Sequence, residues 1–353
     1  AKRPLIIAGG TRWTAEAVQG LQDFAARYRL PVGCSFRRQM LFDHTHPSYA
    51  GDIGIGINPA LAEEVREADL IVLLGGRFSE MPSSGYTLMD IPYPRQKLVH
   101  VYPDPEELGR VYRPDLAILA SPADFVAALS TLTPPADPIW AKRTQTMHDA
   151  YLKWSTPPAT GPGPVQMGPI IEWLEENTAP DTIFTNGAGN YATWVHRFHR
   201  FRRFQTQAAP ASGSMGYGLA AAVAAKQLFP DREVICFAGD GCFMMHGQEF
   251  ATTIRYNLPL IAVVVNNGIY GTIRMHQERD YPGRVSATGL TNPDFAALAR
   301  AYGGHGETVE KTEDFADAFL RARASGKPAI IEIKLDPEAI TPTRTLSQIR
   351  DKT

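Results

Sequence analysis

Short apolar runs alternate with segments of helical periodicity through the first 130 residues of the chain. The apolar runs are typical of buried parallel strands, and the segments between them carry apolar residues at three- and four-residue spacing. Asn58 stands directly before Pro59, the usual order of a helix N-cap and first helical residue. The pattern predicts strands at residues 4–10, 31–35, 69–76, 97–102 and 116–120, and helices at residues 14–29 and 58–68.

A second alternating pattern begins near residue 165. It predicts strands at residues 182–186, 233–239, 258–267 and 328–335, and helices at residues 168–178, 216–229, 247–257 and 293–303. Residues 339–353 read as a polar tail. The expected fold class is therefore α/β, with two open parallel-sheet domains that carry helices on both faces.

Proline and glycine are dense at residues 131–138 and 155–164, on either side of a helix-like segment at residues 139–154. Such segments interrupt core helices and strands, so they indicate a linker that contains a helix. The expected domains are residues 1–135 and 165–353, joined by a linker at residues 136–164.

Composition and charge exclude several classes of protein. A net charge of −2 gives no general basis for binding nucleic acid, and the one basic cluster, residues 196–203, reads as a solvated helix end or an interface. There is no apolar run of membrane-spanning length and no secretory signal pattern, so we expect a cytoplasmic protein. The three cysteines lack CxxC spacing, which fits a reducing compartment. The glycines of residues 6–18 do not form GxGxxG, which argues against an NAD-dependent oxidoreductase.

The predicted strand at residues 233–239 ends in Gly239-Asp240-Gly241, and the next predicted strand ends in Asn266 and Asn267. Both ends lie at the carboxyl edge of the expected sheet, where α/β proteins bind ligands. Glycines allow a phosphate to approach the backbone, and a carboxylate beside that phosphate requires a cation between the two charges. Carboxylate and amide oxygens suit Mg²⁺, so the pattern predicts a magnesium–diphosphate site.

The motif GDG, followed after 24 residues by NN, resembles the cofactor fingerprint of thiamine diphosphate enzymes. Within that family, residues 239–272 look most like the acetolactate synthase group. The resemblance implies Mg²⁺ bound by the side chains of Asp240 and Asn267 and by the carbonyl of Ile269. It also implies that Met215 wedges the cofactor into a bent shape. The implied cofactor-binding residues are Gly189, Asn190, Gly213, Ser214, Met215, Gly239, Asp240, Gly241, Cys242, Asn267, Ile269, Tyr270, Gly271 and Thr272.

Residues 68–88 and 100–112 resemble the family's central domain, a Rossmann-like unit that can hold FAD in acetolactate synthases. Arg77 is retained, but the run around it differs from the usual flavin-contacting run, which argues against FAD while leaving it open. Where the synthases place a Trp after the asparagine pair, this chain has His276. That histidine could donate a proton in the reaction, or it could be a solvated loop residue.

The resemblance implies a third, pyrimidine-binding domain with an activating Glu, and no Glu here has a matching context. Glu80 and Glu249 come nearest and read as surface or interface residues. We therefore expect no catalytic Glu in this chain, which would be the C-terminal two-domain part of a carboligase or decarboxylase acting on 2-keto acids, inactive alone. The first residue is not Met, which favours a piece of a longer chain over a separate subunit.

A homodimer or tetramer is also implied, since such enzymes usually pair their cofactor sites. The alternative is a non-catalytic module that keeps these folds for cofactor binding or for oligomerisation. Mg²⁺-dependent binding of thiamine diphosphate would distinguish an enzyme part from a purely structural module.

Overall fold

The computed structural model describes residues 1–352. The chain forms two compact units, and each contains one sheet of six parallel strands. The first unit consists of Ala1–Thr156 together with Arg200–Phe204, and the second consists of residues 157–199 and of the chain from residue 205 onward. The expected fold class is therefore confirmed.

The first sheet has the strand order β3-β2-β1-β4-β5-β6, so the order reverses between β1 and β4. Residues 49–53 were not expected to form a strand, since their Gly and Asp are poor strand formers. They pair with β2 through Cys34 and Asp52. The strands are β1 (Pro4–Ala8), β2 (Val32–Ser35), β3 (Tyr49–Ile53), β4 (Leu70–Leu74), β5 (Lys97–Tyr102) and β6 (Leu116–Leu119).

Alternate residues of β1 enter two different apolar cores, because neighbouring side chains of a strand point to opposite faces. Leu5 and Ile7 pack into one core, and Ile6 and Ala8 into the other. The helices that cover the two faces are α1 (Ala15–Tyr28), α2 (Pro59–Glu67), α3 (Pro122–Leu129) and α4 (Ala141–Trp154), and residues Gln39–Leu41 form a short 3₁₀ helix.

Helix α4 occupies the segment that was expected to lie in a linker. It packs within the first unit, where its Met147 and Tyr151 are buried in the two apolar cores and His148 Nδ1 lies 2.9 Å from the Tyr49 carbonyl. The compact first unit thus runs to Thr156, beyond the expected boundary at residue 135.

The second sheet has the strand order β11-β12-β10-β9-β7-β8, and its order reverses between β7 and β9. The four expected strands are its centre, and the two edge strands β8 and β11 were missed. The strands are β7 (Ile183–Asn186), β8 (Gln207–Ala208), β9 (Val234–Gly239), β10 (Ile261–Asn266), β11 (His305–Val309) and β12 (Ala329–Lys334).

The helices of the second unit pack around this sheet. Leu219 and Ala222 of one helix share an apolar core with Val234 and Cys236 of β9. The helices are α5 (Met167–Asn177), α6 (Ala192–Phe198), α7 (Tyr217–Leu228), α8 (Asp240–His246), α9 (Phe250–Arg255), α10 (Gly271–Asp280), α11 (Phe295–Ala301), α12 (Asp314–Ala324) and α13 (Leu346–Asp351), with a 3₁₀ turn at Gly247–Glu249 before α9.

The prediction of a polar tail after residue 339 is wrong. Thr345 caps α13 with a capping box, and Leu346 and Ile349 of that helix form a small apolar cluster with Ile340. Met275 of α10 packs against the same cluster. The polar residues of this segment therefore lie on one side of a structured element, and its few apolar residues are buried.

The basic cluster at residues 196–203 spans the end of α6 and part of the segment 200–204. His199 and Phe201 are buried, so the cluster is not wholly a solvated helix end. Burial lowers the pKa of Arg197 to about 10. Among the described residues, no helix has the length and apolar character required to cross a membrane.

Candidate functional site

A pocket lies at the carboxyl ends of β7, β9 and β10, where the order of the second sheet reverses. This is the position at which open parallel sheets bind ligands. Twelve of the fourteen expected cofactor-binding residues line the pocket. Gly213 and Ser214 do not line it and are exposed, whereas their neighbour Met215 is half-buried and forms part of the wall.

Asp240 is the first residue of α8 and is 3% exposed. Its Oδ1 accepts a hydrogen bond of 2.8 Å from the Gly241 N–H. Its Oδ2 accepts from the Gly268 N–H and from Asn292 Nδ2, both at 2.8 Å. These donors come from three segments of the chain, so the carboxylate is fixed at the carboxyl edge of the sheet.

The charge of Asp240 has no cationic partner among the described residues. Burial raises the pKa of this carboxyl, while the hydrogen bonds from Gly241, Asn292 and Gly268 lower it. A buried carboxylate without a countercharge is costly unless it is protonated or a cation is bound. Since Oδ1 accepts one hydrogen bond and has a second lone pair, the site fits a small hard cation.

The two asparagines after β10 have different roles in the structure. Asn266 Nδ2 donates to Glu332 Oε1 at 2.6 Å, and Asn266 Oδ1 accepts from Asn292 Nδ2 at 2.9 Å. Asn267 instead lines the pocket, and among the described residues its Oδ1 accepts only from the Ile269 N–H, at 3.2 Å. The second asparagine is therefore the one whose amide oxygen is available to a ligand.

The loop after Asn267 turns at Gly268, whose φ of +70° a larger residue rarely adopts. Ile269 follows and also lines the pocket. No described residue donates a hydrogen bond to the Ile269 carbonyl. The carbonyl thus matches the third protein ligand that the fingerprint implies.

Asn190 connects the loop after β7 with the start of α10. Its Oδ1 accepts from Thr272 Oγ1 at 2.9 Å, and its backbone N–H donates to the same hydroxyl at 3.1 Å. Its Nδ2 donates to the Ile340 carbonyl at 3.1 Å. Ile340 also lines the pocket, so the segment that was expected to be a tail forms one of its walls.

Sequence reasoning missed Asn292 and Glu332, which hold the asparagine and aspartate side chains in place. Glu332 is 1% exposed in β12, and Lys334 Nζ lies 2.6 Å from its Oε1. A Glu within an otherwise apolar strand was a usable signal, since such residues are rarely buried without a partner. Asn292 lies in the loop before α11, and nothing in its neighbours distinguishes it.

Three residues considered for proton transfer lie outside the pocket. His276 is exposed on α10, which is a helix and not the expected loop. Glu80 is exposed, and Glu249 Oε2 accepts a hydrogen bond from Thr252 Oγ1 at 3.0 Å. The pocket walls contain one acidic side chain, that of Asp240, among the described residues.

Two family models match the chain, one for each unit. Residues 1–129 match the thiamine pyrophosphate enzyme central domain, and residues 187–333 match the thiamine pyrophosphate enzyme C-terminal TPP binding domain. The pocket, the buried Asp240 and the pocket-lining Asn267 all lie within the second match or in its flanking loops. The chain therefore belongs to the thiamine pyrophosphate enzyme family.

Within this family the chain is similar to acetolactate synthase large subunits. It is 32% identical to that of Parasynechococcus marenigrum over 340 residues, which cover 94% of this chain and 54% of the relative. It is 29% identical to the isozyme 2 large subunit of Escherichia coli, covering 95% of this chain and 60% of the relative. The chain thus spans little more than half the length of the curated relatives it matches.

Proposed function

We propose that this chain is the C-terminal two-domain part of an acetolactate synthase-like enzyme that acts on 2-keto acids. In this proposal its second unit binds the diphosphate of thiamine diphosphate through Mg²⁺. The observation that carries the proposal is the buried Asp240, which lacks a cationic partner among the described residues at the edge where Asn267 presents its amide oxygen. When bound, the cofactor would supply the electron sink for cleavage of the bond between the keto and carboxyl carbons.

The residues of this chain would bind and orient the cofactor. Asp240 Oδ1, Asn267 Oδ1 and the Ile269 carbonyl would supply three oxygen ligands, and diphosphate and water would supply the others. The N-terminal end of α10, which begins at Gly271, favours an anion at the same place. Met215, which also lines the pocket, would contact the organic part of the cofactor.

The proton transfers would require groups from outside this chain. No carboxylate other than Asp240 lines the pocket among the described residues, and His276 is exposed on α10. We therefore propose that a pyrimidine-binding domain supplies the activating Glu and that the chain alone is inactive. Pairing of two copies, as a homodimer or tetramer, also belongs to this proposal.

The first unit would act without FAD. Its strand order reverses between β1 and β4, and the loops after these strands approach each other through their backbones. A Cβ on Gly10 would lie 1.6 Å from the Gly75 carbonyl oxygen. This contact supports a first unit without a dinucleotide between these two loops.

Calorimetric titration with thiamine diphosphate, with and without Mg²⁺, tests the proposal. We expect binding that requires Mg²⁺, and a loss of at least about 100-fold in affinity for Asp240→Asn, because the variant removes the charged ligand. Asp52→Asn is the matched control, since Asp52 is a buried carboxyl at the end of β3 in the other sheet. Binding that is indifferent to Mg²⁺, or equal in both variants, would contradict the metal site.

A fusion with the missing domain distinguishes the enzyme from the alternative, a non-catalytic module, because only the enzyme would then release CO₂. Release of CO₂ should be undetectable for this chain across a panel of 2-keto acids. It should appear when the chain is fused to the N-terminal third of an acetolactate synthase large subunit. A fusion that binds the cofactor but consumes none of the keto acids would favour the module.

A further inference from the structure

Tyr191 precedes α6 and lies between two loops of the pocket. It is 7% exposed, and its ring packs against both Gly189 and Gly239. A Cβ on Gly189 would lie 2.8 Å from a ring carbon of Tyr191, and a Cβ on Gly239 would lie 2.9 Å from one. The ring therefore fixes the separation of the loop after β7 from the loop after β9.

The hydroxyl end of Tyr191 is joined to Cys242 and to two backbone groups. The Gly187 N–H donates to Tyr191 Oη at 3.0 Å, and Oη lies 3.2 Å from Cys242 Sγ. The Gly216 N–H donates to the same sulfur at 3.2 Å. These three hydrogen bonds connect the loop after β7, helix α8 and the segment that carries Met215.

Both backbone N–H groups are buried and have no other acceptor among the described residues. Either the hydroxyl or the thiol can donate the central hydrogen bond, and both N–H groups remain satisfied in either case. Burial holds the pKa of Tyr191 well above its ordinary value, so its hydroxyl stays protonated. Removing either polar atom would leave a buried N–H without a partner.

A purely space-filling role would require only the volumes of the two side chains. The two side chains also accept hydrogen bonds, because Tyr191 Oη accepts from the Gly187 N–H and Cys242 Sγ accepts from the Gly216 N–H of another segment. Gly187 also approaches closely, since a Cβ there would lie 2.4 Å from Cys242 Sγ. The three segments joined in this way contain Asn190, Met215 and Asp240, which all line the pocket.

We propose that Tyr191 and Cys242 form a positioning pair that sets the mutual placement of three cofactor-binding loops through their hydroxyl and thiol groups. The pair holds the Met215 segment in register with the Asp240 turn before any ligand arrives. Its consequence for affinity rests on the proposed function, namely binding of thiamine diphosphate. The placement of the loops does not rest on it.

Hydrogen exchange of the 353-residue chain without cofactor tests the placement directly. Tyr191→Phe should raise exchange at the Gly187 N–H at least about tenfold, and Cys242→Ala should do the same at Gly216. Cys242→Ser keeps an acceptor and should leave exchange at Gly216 close to that of the parent. Tyr112→Phe and Cys34→Ala, at buried positions of the first unit, serve as matched controls. Unchanged protection at both glycines would overturn the pair.

Affinity for thiamine diphosphate with Mg²⁺ gives the second readout. Tyr191→Phe and Cys242→Ala should each weaken binding about tenfold, and Cys242→Ser should restore most of that loss. Equal weakening by Ala and Ser would show that volume alone matters and would overturn the proposal. If the parent chain fails to bind, the proposed function is at fault, and hydrogen exchange still decides on the pair.

Discussion

The two sheets of this protein share a fold but differ at the edge where parallel sheets bind ligands. In the first sheet, glycines after β1 and β4 bring two loops into backbone contact, with the Trp13 indole N–H donating to the Gly9 carbonyl at 2.7 Å. In the second sheet, the Tyr191 ring lies between Gly189 and Gly239, and a pocket opens beside it. A glycine after a strand therefore allows another group to approach closely, and that group is a backbone in the first sheet and an aromatic ring in the second.

The buried aspartates at the two edges differ in a similar way. Asp240 accepts hydrogen bonds from Gly241, Gly268 and Asn292, which favour its charged form. Asp52 has a buried oxygen without a hydrogen-bond partner among the described residues. Burial raises the pKa of Asp52 from 3.8 to about 7, although the charge of Arg37 lowers it. Burial raises the pKa of both carboxyls, and the hydrogen-bond donors around Asp240 offset part of that rise.

Asp52→Asn should produce the largest change in stability. Because the pKa of Asp52 is raised to about 7, its proton binds more tightly in the folded state than in the unfolded state. This carboxyl's contribution to the free energy of unfolding therefore falls as pH rises from about 4 to about 7, by up to about 4 kcal/mol. In Asp52→Asn, the free energy of unfolding should therefore fall less between about pH 4 and about pH 7 than it does in the parent, because the variant lacks this titrating group.

Urea unfolding at pH values below, within and above this window measures the difference between variant and parent. If the free energies of unfolding of variant and parent differed by the same amount at every pH, Asp52 would titrate normally in the folded state. The contrast with Asp240 would then fail.

Gly10→Ala and Gly213→Ala separate crowding from backbone strain. Both glycines have φ close to +70°, but a Cβ on Gly10 would clash with the Gly75 carbonyl, whereas a Cβ on Gly213 would meet nothing within 4 Å. We expect a destabilisation of about 3 kcal/mol or more for Gly10→Ala, from strain and backbone clash together, and of about 1 kcal/mol for Gly213→Ala. Urea unfolding followed by circular dichroism provides both values, and similar costs would refute the closed edge in the first sheet.

Asn292→Ala should weaken the Mg²⁺-dependent binding of thiamine diphosphate about tenfold, because Asn292 Nδ2 orients Asp240 and Asn266 together. Asn58→Ala is the matched control in the first unit, where Asn58 caps α2. It should lower stability by about 1 kcal/mol without changing affinity. Calorimetry measures the affinity of both variants for thiamine diphosphate with Mg²⁺. Equal affinities would contradict the role of Asn292.

The sequence was informative where a residue's role follows from its neighbours along the chain. The central strands of both sheets are short apolar runs, and Asp240 and Asn267 follow two of them directly, so the edge that brings them together could be predicted. The edge strand β11 could not, because only its Val309 is buried and its other residues are partly or fully solvated. Helix α13 was missed for a similar reason, since only Leu346 and Ile349 mark its buried face.

The parts of the site that were missed depend on contacts between distant segments. Asn292 meets Asp240 across 52 residues, and Asn190 meets Ile340 across 150. The bond between Tyr191 and Cys242 spans 51 residues. Local pattern reasoning cannot place such pairs, because only the folded sheet determines which loops converge.

The contact between Asn190 and the Ile340 carbonyl also bears on the order in which the protein is made. Proteins are synthesised from the N-terminus, and domains generally fold as units during that process. The first unit has all its residues once residue 204 has left the ribosome, whereas the pocket lacks a wall until residue 340 emerges. A nascent chain would therefore pass through a stage in which one sheet is complete and the cofactor pocket is still open on one side.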